Sequence, residues 1–563
     1  MSSSSPATLP APAASPANED DVSQAGRWMA LAAALLGWMF DGAEMGVFSM
    51  VGRDAIKNLL TESSPPGTAV PEGDVGFLFG IVIAMFLVGA ATGGVLFGWL
   101  GDRIGRVRAM TLSVLCYALF TGLTGLATNV WQIAALRFIA ALGMGGEWSL
   151  GVALVMEVWP NRSRALMAGL IGAAANVGYL LVGFIGLGLE EWLPQIADGL
   201  RGTGLSEASV TWLTAFKGWR LLMILGTTPA LLTFFIRIFV PESQKWEQEQ
   251  EKGGTSHWAT EDLLGVLIGA LGPALIIGVW AVRWETMEGF ANWGALIRWS
   301  GTILGLAIAT GGYIYPVYRY LRRLEEAEGK KPEESKWGET LGRMLIGAVL
   351  SGVALMGTWG STQWAPSWSR DLVDNADKAA AAKASATPSA AAAPVSKARA
   401  AQWTQIASAF GACLGTILAA LAGDWLGRRF TYCLMCIASL LSALALYQLN
   451  TEYNTTFLVY VFILGATTAS FYGWLPLYLP ELFATKVRAT GQGFGFNFGR
   501  IIAAIGALNT GALTTMFVEP VSFLGLTFRP GYSGACTAIS FIYLAGLALI
   551  WLAPETGGKD LPE

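Results

Sequence analysis

Long apolar runs, separated by short polar or turn-rich segments, recur along the whole chain. Many reach the ~20 residues that a helix needs to cross a bilayer. They predict helices over 28–50, 76–100, 109–127, 131–157, 164–188 and 219–239, then over 262–283 and 293–316. Six more follow over 340–362, 402–422, 430–448, 455–480, 488–516 and 534–553. The seventh and eighth are the weakest, interrupted by Pro273 and flanked by Arg283, Glu285 and Glu288. The pattern is that of an all-α polytopic membrane protein.

Composition agrees. Of 563 residues, 53% are hydrophobic and 13% charged, against about a quarter charged in soluble proteins. The net charge of −4 says little about partners. All five cysteines lie in apolar runs, so a disulfide framework is not expected. Cys433 and Cys436 have metal-pair spacing but no second ligand pair, and read as small packing residues. His257 stands alone in a polar loop and forms no histidine metal site. No cofactor is expected. Residues 1–27, rich in Ser, Ala and Pro, lack the basic and apolar regions of a signal peptide and read as a disordered cytoplasmic tail.

The polar segments carry the organisation. Gly98–Arg108 (GWLGDRIGRVR) sets Asp102 beside Arg103, Arg106 and Arg108 in a turn between two membrane-length runs. Basic residues gather in alternate loops, which places both termini on the cytoplasmic side of the cell membrane. Asp102-Arg-Ile-Gly-Arg106 is answered by Asp424-Trp-Leu-Gly-Arg428, and Glu157…Arg164 by Glu481…Arg488, at offsets of 322 and 324. Pro241-Glu242-Ser243 is answered by Pro554-Glu555-Thr556. Three pairs in one order predict a duplication: six helices over 28–243, two inserted helices within 244–336, six more over 337–553, and a cytoplasmic tail over 554–563. Residues 370–400, rich in Ala, read as a flexible external linker or a partly helical excursion. Parallel halves of this kind hold a solute between them near mid-membrane.

GWLGDRIGRVR resembles the signature loop of the major facilitator superfamily, and the resemblance covers nearly the whole chain. The E-x-x-P-x-x-x-R and terminal P-E-[ST] elements are similar to those of its sugar-porter and metabolite:proton symporter branches. Asp41-Gly-Ala-Glu44 resembles the D-G-x-D of organic-acid:proton symporters, with Glu44 in place of Asp. Fourteen helices with a central inserted pair resemble the sialate:proton symporter branch, which includes monocarboxylate carriers. The fifth run lacks the Gly-Pro motif of the drug:proton antiporters.

Asp41 and Glu44 share a helical face midway through the first run. Carboxyls at that depth are costly and read as proton-coupling groups, or as structural partners of Arg137. Arg137 resembles the superfamily's fourth-helix arginine, implicated in proton coupling, and Glu147 is a second proton site or a structural acid. Arg500, deep in the thirteenth run, offers a bidentate fork for a substrate carboxylate, or pairs with an acid on a neighbouring helix. Asn176, Tyr179, Gln363, Trp364 and Asn497 are candidate cavity lining or packing. Asp102, Arg103, Arg106, Glu157 and Arg164, with Asp424, Arg428, Glu481 and Arg488, are expected to form a cytoplasmic gate. Generic positive-inside anchoring would explain those arginines but not the regularly spaced acids.

The expected activity is secondary transport: proton-coupled symport of a small organic anion, carboxylate or sialate-like, by alternating access. The alternatives are a sugar or polyol:proton symporter, or a transport-dead receptor. No phosphate-cradling loop or nucleophile triad suggests an enzyme. The expected partners are the solute, protons and the bilayer, with the chain acting as a monomer.

Overall fold

A computed structural model of the chain describes residues 23–562, apart from 66, 283, 285–286, 291, 330–336, 387–396, 507–516, 518 and 524–525. The first bundle comprises α1 (Gln24–Ser63), α2 (Glu72–Ile104), α3 (Arg106–Thr124), α4 (Val130–Val158), α5 (Asn161–Gly202), α6 (Glu207–Leu225) and α7 (Leu232–Phe239). A short α8 (Gln244–Glu251) leads to the inserted pair α9 (Leu263–Ala281) and α10 (Gly294–Ala327). The second bundle holds α11 (Trp337–Gly360), α12 (Ala365–Ala386), α13 (Lys397–Leu426), α14 (Arg428–Leu449), α15 (Thr455–Ala469) and α16 (Phe471–Tyr478). It is completed by α17 (Arg488–Asn497), α18 (Tyr532–Ser540) and α19 (Ile542–Leu549). Strands Val521–Phe523 and Leu526–Phe528 pair antiparallel as the one ribbon among the described residues.

Eleven spans among the described residues are long and apolar enough to cross a membrane. Of the other three expected runs, two lie on less regular helix. The run 219–239 is divided among α6, a 3-10 turn over Thr228–Leu231 and α7, where Pro229 supplies no backbone donor. The run 293–316 falls within the longer α10. The run 488–516 begins as α17 and continues helical over 499–506, its last ten residues lying outside the described ones. Most of the Ala-rich segment that could have been a linker is helical, since α12 runs to Ala386 and α13 starts at Lys397.

Lipid offers no hydrophobic drive between helices, so close approach of backbones decides which helices pair. Gly145 of α4 lies on the Ala90 carbonyl of α2, and Gly415 of α13 lies on that of Ala466 in α15. Any side chain there would separate the pair. The two signature turns are also alike: Gly105 and Gly427 have φ of 109° and 88°, a region that L side chains avoid. The bundles meet along two seams, α2 with α17 and α5 with α13.

Candidate functional site

A cavity of about 130 Å³ lies on the seam between the bundles, room for a small organic solute rather than a single water. From the first bundle, Trp38, Asn176 and Tyr179 face it; from the second come Trp359, Gln363, Gln405, Tyr472 and Arg500. Gln363 reaches it because the chain breaks between α11 and α12 in a 3-10 turn over Thr362–Trp364.

Arg500 is 7% exposed, and among the described residues its Nε and Nη1 have no hydrogen-bond partner. Its guanidinium lies over the Phe496 ring at 5.4 Å. The nearby acid comes from the other bundle: Asp41 of α1, 6% exposed, lies within electrostatic reach. Asp41 also abuts Glu147 of α4, which is fully buried and packs on Gly37. Glu44, one turn from Asp41, faces elsewhere. It forms an ion pair with Arg137 and accepts the Thr121 hydroxyl at 3.2 Å. Arg137 is sandwiched by the Phe48 and Phe86 rings at 4.3 and 4.6 Å. The five acids and bases read from the sequence thus separate into an Asp41–Glu147–Arg500 group and a Glu44–Arg137 pair.

Asn176 lines the cavity and donates to the Gly172 carbonyl at 3.0 Å. Asn497 is fully buried against α4, donating to the carbonyls of Gly145 at 3.0 Å and Gly493 at 3.1 Å, and does not line the cavity.

Toward the signature-loop end the seam is closed in layers. Trp148 stacks on Phe496 at 3.8 Å, and Gln492 donates to the Ser149 carbonyl. Below them Arg488 of the second bundle bonds Glu157 of the first at 2.8 Å. Asp102 accepts the backbone N–H groups of Ala489 and Thr490 at 3.2 and 2.9 Å. The latter contacts cap the start of α17 with a carboxylate, where the helix dipole favours negative charge.

Inside each bundle the duplicated residues make the same assembly. Arg106 bonds Glu157 at 3.1 Å, and Arg428 bonds Glu481 at 2.7 Å. Glu242 accepts from the backbone of Arg106 at 2.8 Å, and Glu555 from that of Arg428 at 2.9 Å. Ser243 donates to Glu157, and Thr556 to Glu481. Glu242 and Glu555 had no role in the sequence reading, although the repeated P-E-[ST] pattern marked their positions. Arg164 of the first bundle lies within electrostatic reach of Glu481 in the second, and donates to the carbonyls of Met156 and Trp159 at 3.0 and 3.2 Å. Two of the expected gate residues stand apart from these contacts. Arg103 reaches Thr260 at 2.9 Å from an exposed position. Asp424 is half exposed, 3.7 Å from Arg428.

A cavity on the seam of two membrane bundles, closed at one end by a repeated ion-pair assembly, defines a carrier of small molecules rather than an enzyme. Residues 29–262 match the family model described as "Sugar (and other) transporter". The chain is 24% identical to a putative metabolite transport protein of Haemophilus influenzae, over 95% of this chain and 98% of that one. It is also 24% identical to the cis,cis-muconate transport protein of Acinetobacter baylyi, over 77% and 78%. The solved proton:xylose symporter XylE of E. coli shares the fold with a TM-score of 0.62 at 15% identity, over 96% of this chain and 98% of that one. The chain has the major facilitator fold, and the proteins it resembles in sequence are membrane transporters.

Proposed function

We propose that this carrier couples the movement of a small organic anion to that of a proton. The observation that carries the proposal is Arg500, a buried cation with two unpartnered nitrogens at the cavity wall, facing Asp41 across the seam. Ionised Asp41 balances the charge of Arg500. Once Asp41 takes a proton, Arg500 is left to a carboxylate from the solute, so proton and anion load together. Glu147, beside Asp41, shares or relays that proton. Glu44 serves packing instead, since it is engaged by Arg137, and Asn497 serves the contact of α17 with α4. Asn176, Gln363 and Gln405 supply polar contacts to the solute, and Trp38, Trp359 and Tyr472 its apolar walls.

The ion-pair assembly at the signature-loop end is the cytoplasmic gate, closed in this structure and opened when the bundles rock apart. Both termini then lie in the cytoplasm, and one chain suffices for transport.

A relative named for muconate transport supports the acid reading. The sugar-transporter match and the xylose symporter's shared fold favour a sugar as the second reading. A neutral sugar has no need of a buried fixed cation, which ranks it below the acid. Uptake into proteoliposomes of cis,cis-muconate, lactate, sialate and xylose, with and without an inward proton gradient, separates them. Gradient-driven accumulation of an acid is expected. Accumulation of xylose alone would overturn the acid reading, and binding of a solute without accumulation would mark a receptor.

A further inference from the structure

After its Pro-Glu-Ser or Pro-Glu-Thr element, each half of the chain runs across the closed seam to the other bundle. In the first half, Pro241-Glu242-Ser243 leads into α8, whose Trp246 is buried and donates to the Asp102 backbone carbonyl at 2.9 Å. There α8 lies against Thr485–Val487 of the second bundle. In the second half, Pro554-Glu555-Thr556 leads into a turn at Gly557-Gly558, closed by the Lys559 N–H on the Thr556 carbonyl at 3.1 Å. Gly558 has a φ of 73°, which only glycine adopts without strain.

Residues 559–562 then reach the lock itself. Asp560 accepts from the side chain of Asn161, at the start of α5 in the opposite bundle. Leu561 is 5% exposed and joins the apolar cluster that both bundles share. The Pro562 carbonyl accepts from Arg488 Nη2 at 2.6 Å. Arg488 is the cation that bonds Glu157 across the seam through Nη1, and its Nε donates to the Phe483 carbonyl at 3.2 Å. The tail thus supplies an acceptor to the group that closes the seam. Without it a buried guanidinium N–H loses its partner, which costs the desolvation of that group, and Leu561 is returned to water.

We propose that residues 559–562 are a strap, hinged at Gly557-Gly558, that holds Arg488 on Glu157 and must leave Arg488 and Asn161 before the bundles part at this end. The strap rests on the reading of the ion-pair assembly as a gate, and the test separates the two. A cysteine placed at Ser149, buried above the lock, is labelled with a maleimide in nanodisc-held full-length protein. The rate is read on the peptide that carries residue 149. Leu561→Asp, which expels the tail from its apolar seat, is expected to raise that rate about tenfold. A cysteine at Ser367, which lines a second chamber on the far side of the cavity, should not label faster in the same background. A rise at both positions would mean unfolding and would overturn the strap. In Asn161→Cys/Asp560→Cys, oxidation tethers the strap across the seam, and labelling at residue 149 should slow until reductant restores it. Equal rates in the tethered and reduced forms would also overturn it. Asp102→Asn separates the two readings. If it raises the rate while Leu561→Asp does not, the strap fails and the gate stands. If neither does, the gate reading fails and the strap fails with it.

Discussion

The Asp102 carboxylate of the first bundle accepts both the backbone N–H and the hydroxyl of Thr490 in the second, at 2.9 and 2.6 Å. Its counterpart by duplication, Asp424, makes no such contact and is half exposed. The difference comes from where the facing helices begin. α17 starts at Arg488, so the N–H groups of Ala489 and Thr490 are free of intrahelical partners and need an acceptor. α5 starts at Asn161, one turn before the equivalent Arg164, so the corresponding N–H groups are already spent within the helix. Asp102→Asn is therefore expected to weaken closure by about 3 kcal/mol, the scale for removing one partner of a buried charged group. Asp424→Asn should be nearly silent. A cysteine at Ser149, buried above the lock, reports this: its labelling should rise sharply in the first protein and not in the second. Equal labelling in both would remove the asymmetry.

Glu44 and Arg137 lie in an apolar surrounding with two phenyl rings over the guanidinium. Glu44→Gln leaves that cation buried without its counter-charge, which costs about 3–5 kcal/mol. Glu44→Gln/Arg137→Met, which removes both charges, should recover most of the thermal stability. Gradient-driven uptake by the double substitution, at a rate near that of the parent, is the expected result. Recovered stability with uptake uncoupled from the gradient would return Glu44 to the proton pathway.

Much of this arrangement was legible because the duplication repeats local chemistry. The Asp-x-x-Gly-Arg turn and the later glutamate recur at matching offsets, so two like assemblies were legible; that Arg106–Glu157 and Arg428–Glu481 close within a bundle while Arg488–Glu157 crosses the seam was not. The partnering of Asp41 and Glu44 was not legible. Three residues apart they share a face, yet point about 60° apart around the helix. That angle turns one carboxylate toward Arg500 and the other to Arg137, and only the placement of α4 and of the helix over 499–506 determines which. Arg500 was expected to find any acid partner on a neighbouring helix. The partner is in the opposite half, which no local pattern encodes. The asymmetric lock was hidden for a related reason: it depends on the starting residue of α5, and helix ends are the least certain feature of a sequence reading.

The symmetry-related acids Glu242 and Glu555 are expected to respond oppositely to neutralisation. Burial lifts the Glu242 carboxyl above its ordinary range despite the N–H groups it accepts. Burial pushes Glu555 the same way, but the backbone N–H groups of Arg429, Arg428 and Gly557 outweigh it and hold that carboxyl below its ordinary range. A raised value means that ionised Glu242 is disfavoured by the fold at neutral pH. A lowered one means that ionised Glu555 supports the fold at neutral pH, a contribution lost as pH falls through the lowered value. At pH 7 Glu242→Gln should hold or raise the melting temperature in detergent, and Glu555→Gln should lower it modestly, since Glu555 is partly exposed to solvent screening. A fall in both would remove the distinction.

Asp41 and Arg500 give the most direct test of coupling, because each belongs to a different bundle and one is expected to stand in for the solute. If ionised Asp41 occupies Arg500 until a proton arrives, Asp41→Asn leaves Arg500 permanently available. Anion exchange across the membrane should then persist, while uphill accumulation driven by a proton gradient is abolished. Arg500→Lys keeps the charge but loses the planar fork, so the KM for an acid should rise about tenfold with a smaller change in kcat. Arg500→Ala should raise it further. The combination is the decisive measurement. In Asp41→Asn/Arg500→Ala no carboxylate or guanidinium remains to compete, and uptake of the acid should lose its dependence on pH altogether. Retention of the parent's pH dependence in that protein would place the proton elsewhere, with Glu147, buried beside Asp41, the next acid to test.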